Sequence, residues 1–315
     1  MIVIIGLFTS CISGQNSLMP NYKAVLEYNT EATLGEGAFW NYKTNELLWI
    51  DIEGKQLHIY NPISKVNKSI QMPSHIGTVV PIDDIFVLVA LADGVYKLNT
   101  TTEELHLFTD MSADLQEGRL NDGKCDPSGR FWVGSMHWKQ LEGEAKLFKI
   151  DSSGNYQTMI DSVTISNGIV WTSDSKIMYY IDTPTSTIQA FDFNNDTGTI
   201  SNGRVVVQIP ESLGYPDGMT IDEENMLWVG MWNGNAVLRF NPVTGKLMGK
   251  VEVPAHNITS CAFGGENLET LFITTARVDM TADELVKYPL SGSVFKVNPG
   301  VKGVESPFFI QNIEN

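Results

Sequence analysis

The segment LFKID (147–151) alternates apolar and polar residues and then ends in an aspartate. The same pattern occurs six times along the chain and always ends in Asn or Asp, residues that favour tight turns. The other copies are LHIYN (57–61), VYKLN (95–99), IQAFD (188–192), VLRFN (237–241) and VFKVN (294–298). Six copies of one strand-and-turn pattern predict a protein built from repeated β units.

A second and more apolar strand precedes each copy. These strands centre on Trp49, Val87, Trp132, Tyr179, Trp228 and Phe272, with successive spacings of 38, 45, 47, 49 and 44 residues. Continuous apolar runs are typical of strands that are covered on both faces, and the three tryptophans are expected to pack in the core. A β-sandwich seldom repeats units in matched order, and solenoid repeats are usually shorter. We therefore predict an all-β, six-bladed β-propeller with about four strands per blade.

The first strand after the N-terminal segment is expected to close the ring. The segment YKAVLEY (22–28) is predicted to add a strand to the last blade, which would remove the exposed edges of an open sheet. The predicted organisation is a signal or lipoprotein segment with a linker over residues 1–20, followed by one propeller domain over residues 21–315.

Polar residues recur near the start of the units, about 11–13 residues before the centre of each apolar strand. Units one, three, four and five carry Glu36-Gly37, Asn121-Asp122-Gly123, Asn167-Gly168 and Asp217-Gly218, respectively. Equivalent residues of propeller blades lie on a ring around the axis, so four blades direct a carboxylate or an amide towards one mouth of the channel. Each residue alone reads as a turn former, but four in register favour a shared site.

Carboxylate and amide oxygens without Cys or His are the preferred ligands of hard cations. Clustered like charges are also costly unless a cation neutralises them. The sequence therefore predicts one divalent cation, with Ca²⁺ favoured and Mg²⁺, Mn²⁺ and Zn²⁺ as alternatives.

At these residues the sequence resembles the SMP-30/gluconolactonase family, which includes regucalcin and luciferin-regenerating enzyme. The resemblance covers roughly residues 33–303. It rests on LGEGAFW (34–40), RLNDGKCDPSGRFWVGSM (119–136), ISNGIVW (165–171), MYYIDTPTSTIQAFDF (178–193), GYPDGMTIDEENMLWVGMWNG (214–234) and ITSCAFGGENLETLFITTAR (258–277).

The resemblance implies a six-bladed propeller, in agreement with the repeat count, and a role for each residue of the site. Glu36, Asn167 and Asp217 would bind the metal, and Asp217 would also be the general base. Arg119 and Asn121 would contact the substrate, a small lactone or ester. Asp122 would lie beside the ring and orient its neighbours.

One position departs from the family pattern. Lys139 stands where regucalcin has a glutamate that helps to hold the sugar, so gluconolactone itself is not assumed. Among the histidines, His75 and His137, with Trp138, are candidates for the mouth or its wall. His58 and His106 are expected on the surface. No GxSxG elbow is present, which argues against a serine nucleophile.

The composition limits the partners of the chain. Lys and Arg total 21 and Asp and Glu total 37, so the net charge is 21 − 37 = −16. An acidic surface repels phosphate backbones, and nucleic acid is not expected as a partner. A membrane is expected only through an N-terminal lipid anchor.

The N-terminal residues MIVIIGLFTSC (1–11) form a short apolar stretch that ends in small residues. This arrangement is typical of an export signal, and the last four residues resemble a lipobox with Cys11 as the lipidated residue. Phe8 stands where leucine is usual, and no Lys or Arg precedes the apolar run. We expect an exported protein, either periplasmic or a membrane-anchored lipoprotein.

The leading functional hypothesis is a divalent-metal-dependent hydrolase that opens a sugar lactone. A phosphotriesterase or another esterase on the same metal site is the enzymatic alternative. A calcium-binding propeller without turnover is the non-enzymatic alternative.

Overall fold

The structure is a computed structural model that describes residues 19–311. The predicted signal segment, including Cys11, lies outside the described residues. Six sheets are arranged as the blades of a propeller, and in blades one to four the strands follow one another in chain order from the inside to the outside, whereas blades five and six each add one N-terminal strand at the outer edge. The predicted six-bladed fold is confirmed.

The strand bounds follow the repeat. Two strands precede the first blade: β1 (Asn21–Lys23) and β2 (Val25–Tyr28). Blade one contains β3 (Gly35–Asn41), β4 (Glu46–Asp51), β5 (Gln56–Asn61) and β6 (Val66–Gln71). Blade two contains β7 (Thr78–Pro81), β8 (Phe86–Ala90), β9 (Gly94–Asn99) and β10 (Leu105–Asp110). Blade three contains β11 (Gly118–Cys125), β12 (Phe131–His137), β13 (Ala145–Ile150) and β14 (Tyr156–Val163).

The second half of the ring repeats this order. Blade four contains β15 (Ser166–Trp171), β16 (Ile177–Asp182), β17 (Thr187–Asn194) and β18 (Thr199–Gln208). Blade five contains β19 (Tyr215–Ile221), β20 (Leu227–Trp232), β21 (Ala236–Asn241) and β22 (Lys246–Glu252). Blade six contains β23 (Asn257–Gly264), β24 (Thr270–Ala276) and β25 (Val294–Val297). One short helix, α1 (Ala282–Lys287), begins with a capping box between Thr281 and Glu284.

The N-terminal strand closes the ring, but it does so in two pieces. β2 pairs antiparallel with β25 and completes blade six, as expected. β1 pairs parallel with β22 and adds a fifth strand to blade five. Between them, the Ala24 N–H donates to the Glu252 carbonyl at 2.9 Å. The segment predicted as one strand therefore ties two blades together.

The turn chemistry of the repeat is as predicted in most blades. Asn61, Asn99 and Asn241 each accept hydrogen bonds from the backbone N–H groups two and three residues later. In blade four the strand continues past Asp192, and Asn194 takes this role instead.

The repeated tryptophans Trp49, Trp132 and Trp228 are buried, as predicted. The expected surface position of His58 is wrong. The His58 ring stacks on Trp49 with ring centroids 3.8 Å apart, and its Nδ1 lies 2.8 Å from Ser69 Oγ. Burial lowers the pKa of His58 to about 4, so the ring is neutral at neutral pH.

Residues 304–311 run along the far ends of the inner strands. Val304, Glu305, Ser306 and Pro307 line a cavity of 230 Å³ together with residues at the ends of β11, β15 and β19. Phe309 is buried in the core, and its N–H donates to the Pro81 carbonyl at 2.8 Å. The candidate site lies at the opposite ends of these strands.

Candidate active site

Each inner strand that supplies a site residue carries a β-bulge at that residue. Pairing with the second strand shifts between Glu36 and Phe39, between Leu120 and Gly123, between Asn167 and Ile169, and between Pro216 and Met219. The corresponding pair in blade two, β7 and β8, is regular, and no residue of β7 lines the cavity, whereas blade six carries a bulge between Ile258 and Cys261. Since bulges redirect side chains next to functional sites, they account for the common direction of the four residues.

The glycines that follow the site residues allow the blades to approach each other. Gly37 has a φ of +61°, and its N–H donates to Glu36 Oε2 at 2.9 Å. A Cβ atom on Gly168 would lie 2.8 Å from the Asp217 carbonyl oxygen of the next blade. Side chains at these positions would strain or separate the inner strands.

Three buried carboxylates lie within electrostatic range of one another: Glu36, Asp122 and Asp217. Burial and the nearby Asp122 charge raise the pKa of Glu36 to about 8. Burial and the charges of Glu36 and Asp122 raise the pKa of Asp217 well above its ordinary value. A proton shared between Glu36 and Asp217 relieves part of this repulsion when no cation is bound.

Asp122 lies beside the two predicted metal-binding carboxylates, as the resemblance implies. Its Oδ1 accepts from the Gly123 N–H at 2.8 Å. The positive charge of Lys124 favours the ionised form of Asp122. The effect of burial is larger, however, and the pKa of Asp122 is raised. The Lys124 ammonium donates to the Met219 carbonyl oxygen of blade five.

A chain of hydrogen bonds joins the polar residues of blades three to five. Arg119 Nη1 donates to Asn121 Oδ1 at 2.6 Å, and Asn121 Nδ2 donates to Asn167 Oδ1 at 3.1 Å. Asn167 Nδ2 donates to Thr183 Oγ1 at 2.8 Å, and that hydroxyl donates to the Pro216 carbonyl at 2.8 Å. These hydrogen bonds fix the orientation of the Asn167 amide, with its nitrogen bonded to the Thr183 hydroxyl and its oxygen accepting from Asn121.

Arg119 is buried, and burial lowers its pKa to about 10, although Glu53, Glu36 and Asp217 favour its charged form. The guanidinium is therefore still charged at neutral pH. Its Nη1 also donates to the Leu120 carbonyl at 3.0 Å. These two bonds fix one edge of the guanidinium.

The predicted metal ligands fit a hard cation. Asp217 Oδ1 is buried, and no hydrogen-bond donor in residues 19–311 reaches it. Within the same residues, no three His, Cys, Asp or Glu side chains are arranged to hold a metal ion. The third ligand of the predicted set is the Asn167 amide oxygen, so the set comprises two carboxylates and one amide, all oxygen donors.

Part of the ring lies at the bottom of a cavity of about 440 Å³, whereas Asn167 and Asp122 are not among its lining residues. Its lining includes the predicted residues Glu36, Arg119, Asn121 and Asp217. It also includes residues to which the sequence patterns assign no role: Leu34, Ile52, Glu53, Met136, Gln140, Ile165, Thr183, Pro184, Tyr215, Trp232, Asn233, Val278 and Asp279. Thr183 lies within the quoted segment 178–193, but only the fold shows that it holds Asn167.

Trp138 lines the cavity, as anticipated, and the His75 ring contacts it with centroids 5.1 Å apart. His137 is buried behind the wall, where its Nε2 lies 3.3 Å from Glu117 Oε2. Lys139 is exposed and does not line the cavity, whereas its neighbour Gln140 does. The position that departs from the family pattern therefore lies outside the pocket.

Among the described residues, no helix has both the length and the apolar character needed to cross a membrane.

The family model described as "SMP-30/Gluconolactonase/LRE-like region" matches residues 34–277. A Bacillus subtilis strain 168 protein, provisionally named sugar lactone lactonase YvrE, is 37% identical over 273 residues, which cover 86% of this chain and 93% of the relative. Regucalcin of Danio rerio is 37% identical over 280 residues, which cover 86% of this chain and 92% of the relative.

Two solved structures share the fold over nearly their whole length. A luciferin-regenerating enzyme has a TM-score of 0.85 at 28% identity, covering 92% of this chain and all of that one. A calcium-binding regucalcin from Agrobacterium tumefaciens strain C58 has a TM-score of 0.88 at 26% identity, covering 93% of this chain and 99% of that one.

Proposed function

Because the chain belongs to the SMP-30/gluconolactonase/LRE-like family, we propose that it hydrolyses a lactone of the sugar-lactone type with the help of one divalent cation. The observation that carries this proposal is the buried pair of carboxylates, Glu36 and Asp217, on the floor of a cavity that also contains Arg119. The provisional name of the Bacillus relative supports the substrate class.

The proposed cation site consists of Glu36, Asn167 and Asp217. A bound divalent cation would polarise the lactone carbonyl and stabilise negative charge on its oxygen. Ca²⁺ is favoured because every donor is an oxygen, and the Agrobacterium structure is named as a calcium-binding protein. Positive charge at this point would also keep Glu36 and Asp217 ionised.

The proton steps are assigned to Asp217. Its carboxylate takes a proton from the water that attacks the lactone carbonyl carbon. The bond between that carbon and the ring oxygen then breaks, and the same carboxyl group returns the proton to the ring oxygen. The product is a hydroxy acid, which loses its acidic proton to solvent.

Arg119 is assigned to substrate positioning, and Asn121 to holding both Arg119 and Asn167. A guanidinium presents a fixed fork of donors that suits a ring hydroxyl or a carbonyl oxygen. Because Asn121 already accepts from Arg119 and donates to Ser166 and Asn167, its amide acts through its neighbours.

The charge of the cavity favours an uncharged substrate. Its lining contains four carboxylates, Glu36, Glu53, Asp217 and Asp279, and one cationic side chain, Arg119. Even with one divalent cation bound, the formal charge is +3 − 4 = −1. An uncharged lactone enters this site without repulsion, whereas the carboxylate product is repelled from it.

The proposal is tested with a screen of aldonolactones in which acid release is followed after extraction with a chelator and after addition of Ca²⁺, Mg²⁺, Mn²⁺ or Zn²⁺. We expect turnover that is lost on chelation and restored by a divalent cation. Turnover of phosphotriesters alone would support the esterase alternative. Metal binding without turnover of lactones or esters would support the non-enzymatic alternative.

A further inference from the structure

The upper wall of the cavity is aromatic. Trp138 is 46% exposed, more than any other tryptophan in the chain, and Tyr215 is 39% exposed. Both line the cavity above the polar floor, as does Trp232. Large exposed aromatic surfaces beside a concave site mark a place where a ligand is expected to bind.

Trp138 is held in place although its ring is exposed. Its backbone N–H donates to the Glu117 carbonyl at 3.0 Å, and the Gln140 N–H donates to the His137 carbonyl at 2.9 Å. The His75 ring meets the Trp138 ring in an edge-on arrangement with an interplanar angle of 63°. The backbone at Trp138 is therefore fixed and one edge of its ring is supported, which reduces the entropic cost of binding a ligand there.

The other aromatic residues occupy neighbouring positions in blade five. Tyr215 and Trp232 are partners in the pairing of β19 with β20. Directly paired residues of antiparallel strands project from the same face of the sheet. The two side chains thus form one aromatic surface next to Asp217, which lies two residues after Tyr215.

The polar lining residues that are buried are Glu36, Arg119, Asn121 and Asp217, and the more exposed lining combines apolar with polar side chains. The polar floor of Glu36, Arg119 and Asp217 suffices for a lactone carbonyl and its nearest hydroxyls. Above it, aliphatic residues such as Met136 and Val278 join the aromatic wall, and Glu53 and Asp279 disfavour an anion. The volume of 440 Å³ falls in the range of about 300–1,000 Å³ that holds drug-sized ligands.

We propose that the preferred substrate is a lactone that carries an uncharged, apolar substituent of about the size of a phenyl ring. The lactone carbonyl lies on the floor, and the substituent packs against Trp138, Tyr215 and Trp232. This inference rests on the proposed lactone hydrolysis and specifies its substrate class.

The test compares two lactones that share one ring, glucono-δ-lactone and its 6-O-benzyl ether, in the cation-loaded enzyme. We expect kcat/KM to be about tenfold or more higher for the benzyl ether, because a buried phenyl group adds apolar contact that the plain lactone lacks. Trp138→Ala and Tyr215→Ala should each reduce this ratio. Leu141→Ala is the matched control, because Leu141 is 47% exposed, lies near Trp138 in sequence and does not line the cavity.

Thermal unfolding of each variant checks that the fold is intact. If the wild-type kcat/KM for the benzyl ether does not exceed that for glucono-δ-lactone, the inference is wrong, although the proposed lactone hydrolysis is unaffected. A high ratio that neither Trp138→Ala nor Tyr215→Ala reduces would overturn the assigned surface. Failure to hydrolyse any lactone would overturn the proposed function and this inference with it.

Discussion

Asn121 Nδ2 lies 3.1 Å from Asn167 Oδ1, and this hydrogen bond joins blade three to blade four inside the site. The same Asn121 nitrogen donates to the Ser166 carbonyl at 2.8 Å, and its amide oxygen accepts from Arg119. Asn121 therefore positions a proposed metal ligand on one side and a proposed substrate contact on the other.

This geometry predicts that Asn121→Ala weakens cation binding although Asn121 is not a proposed ligand. Loss of a residue that orients a metal ligand typically lowers metal affinity about 10–100-fold. Isothermal titration with Ca²⁺ measures the effect. An unchanged affinity together with a higher KM would instead make Asn121 a direct substrate contact.

Arg119→Lys is expected to raise KM or lower kcat, by about tenfold or more in kcat/KM, with nearly unchanged cation affinity. Lysine keeps the charge but lacks the planar fork of donors that fixes a ring hydroxyl or carbonyl. Steady-state kinetics and Ca²⁺ titration of the same preparation separate the two effects. Collapse of cation binding would show that Arg119 is structural to the site.

His58 is expected to remain neutral until the pH falls to about 4, because its ring is buried on Trp49. Its folded pKa lies below the unfolded value of about 6.5. The stability that neutral His58 contributes is therefore fully present above about pH 6.5 and is lost as the pH falls towards 4. An NMR titration of the histidine ring protons measures this pKa, with His58→Asn identifying the resonance. A midpoint near 6.5 would contradict the buried environment.

The propeller could be predicted from the sequence because its signals are local. The turn residues Asn61, Asn99 and Asn241 act within three residues of their own position. Trp49 and Trp132 mark strands that are covered on both faces. His58 was misplaced for the same reason: strand alternation assigns one face to solvent, whereas the His58 ring is covered by Trp49 and bonded to Ser69.

The closeness of Glu36 and Asp217 could also be predicted, because equivalent residues of the repeat share a place in the blade. The hydrogen bonds that hold Asn167 could not be predicted from the sequence. Thr183 and Asn121 acquire their roles through contacts between blades that depend on bulges in the inner strands. Lys139 shows the same limit, because the family resemblance implied a pocket position for it, whereas its neighbour Gln140 lines the cavity instead.

Export and lipidation remain a proposal that concerns Cys11. If Cys11 is lipidated, the full-length protein expressed in a bacterium should fractionate with membranes, and Cys11→Ser should release it into the soluble fraction. Equal distribution of both proteins between the fractions would contradict the lipid anchor.

Glu36 and Asp217 are proposed to share one cation, and Asp217 alone is proposed to move the proton. Glu36→Gln and Asp217→Asn each keep the shape of the side chain and remove one negative charge, so both should weaken Ca²⁺ binding. Only Asp217→Asn also removes the proposed base, which typically contributes about 10²–10⁴-fold to the rate.

The most direct measurement is therefore kcat of Glu36→Gln and Asp217→Asn at saturating Ca²⁺. We predict that added metal restores part of the activity of Glu36→Gln, while Asp217→Asn binds the metal and stays about 10²–10⁴-fold below the wild type in kcat. Equal recovery of the two variants would show that Asp217 is a metal ligand only and not the base.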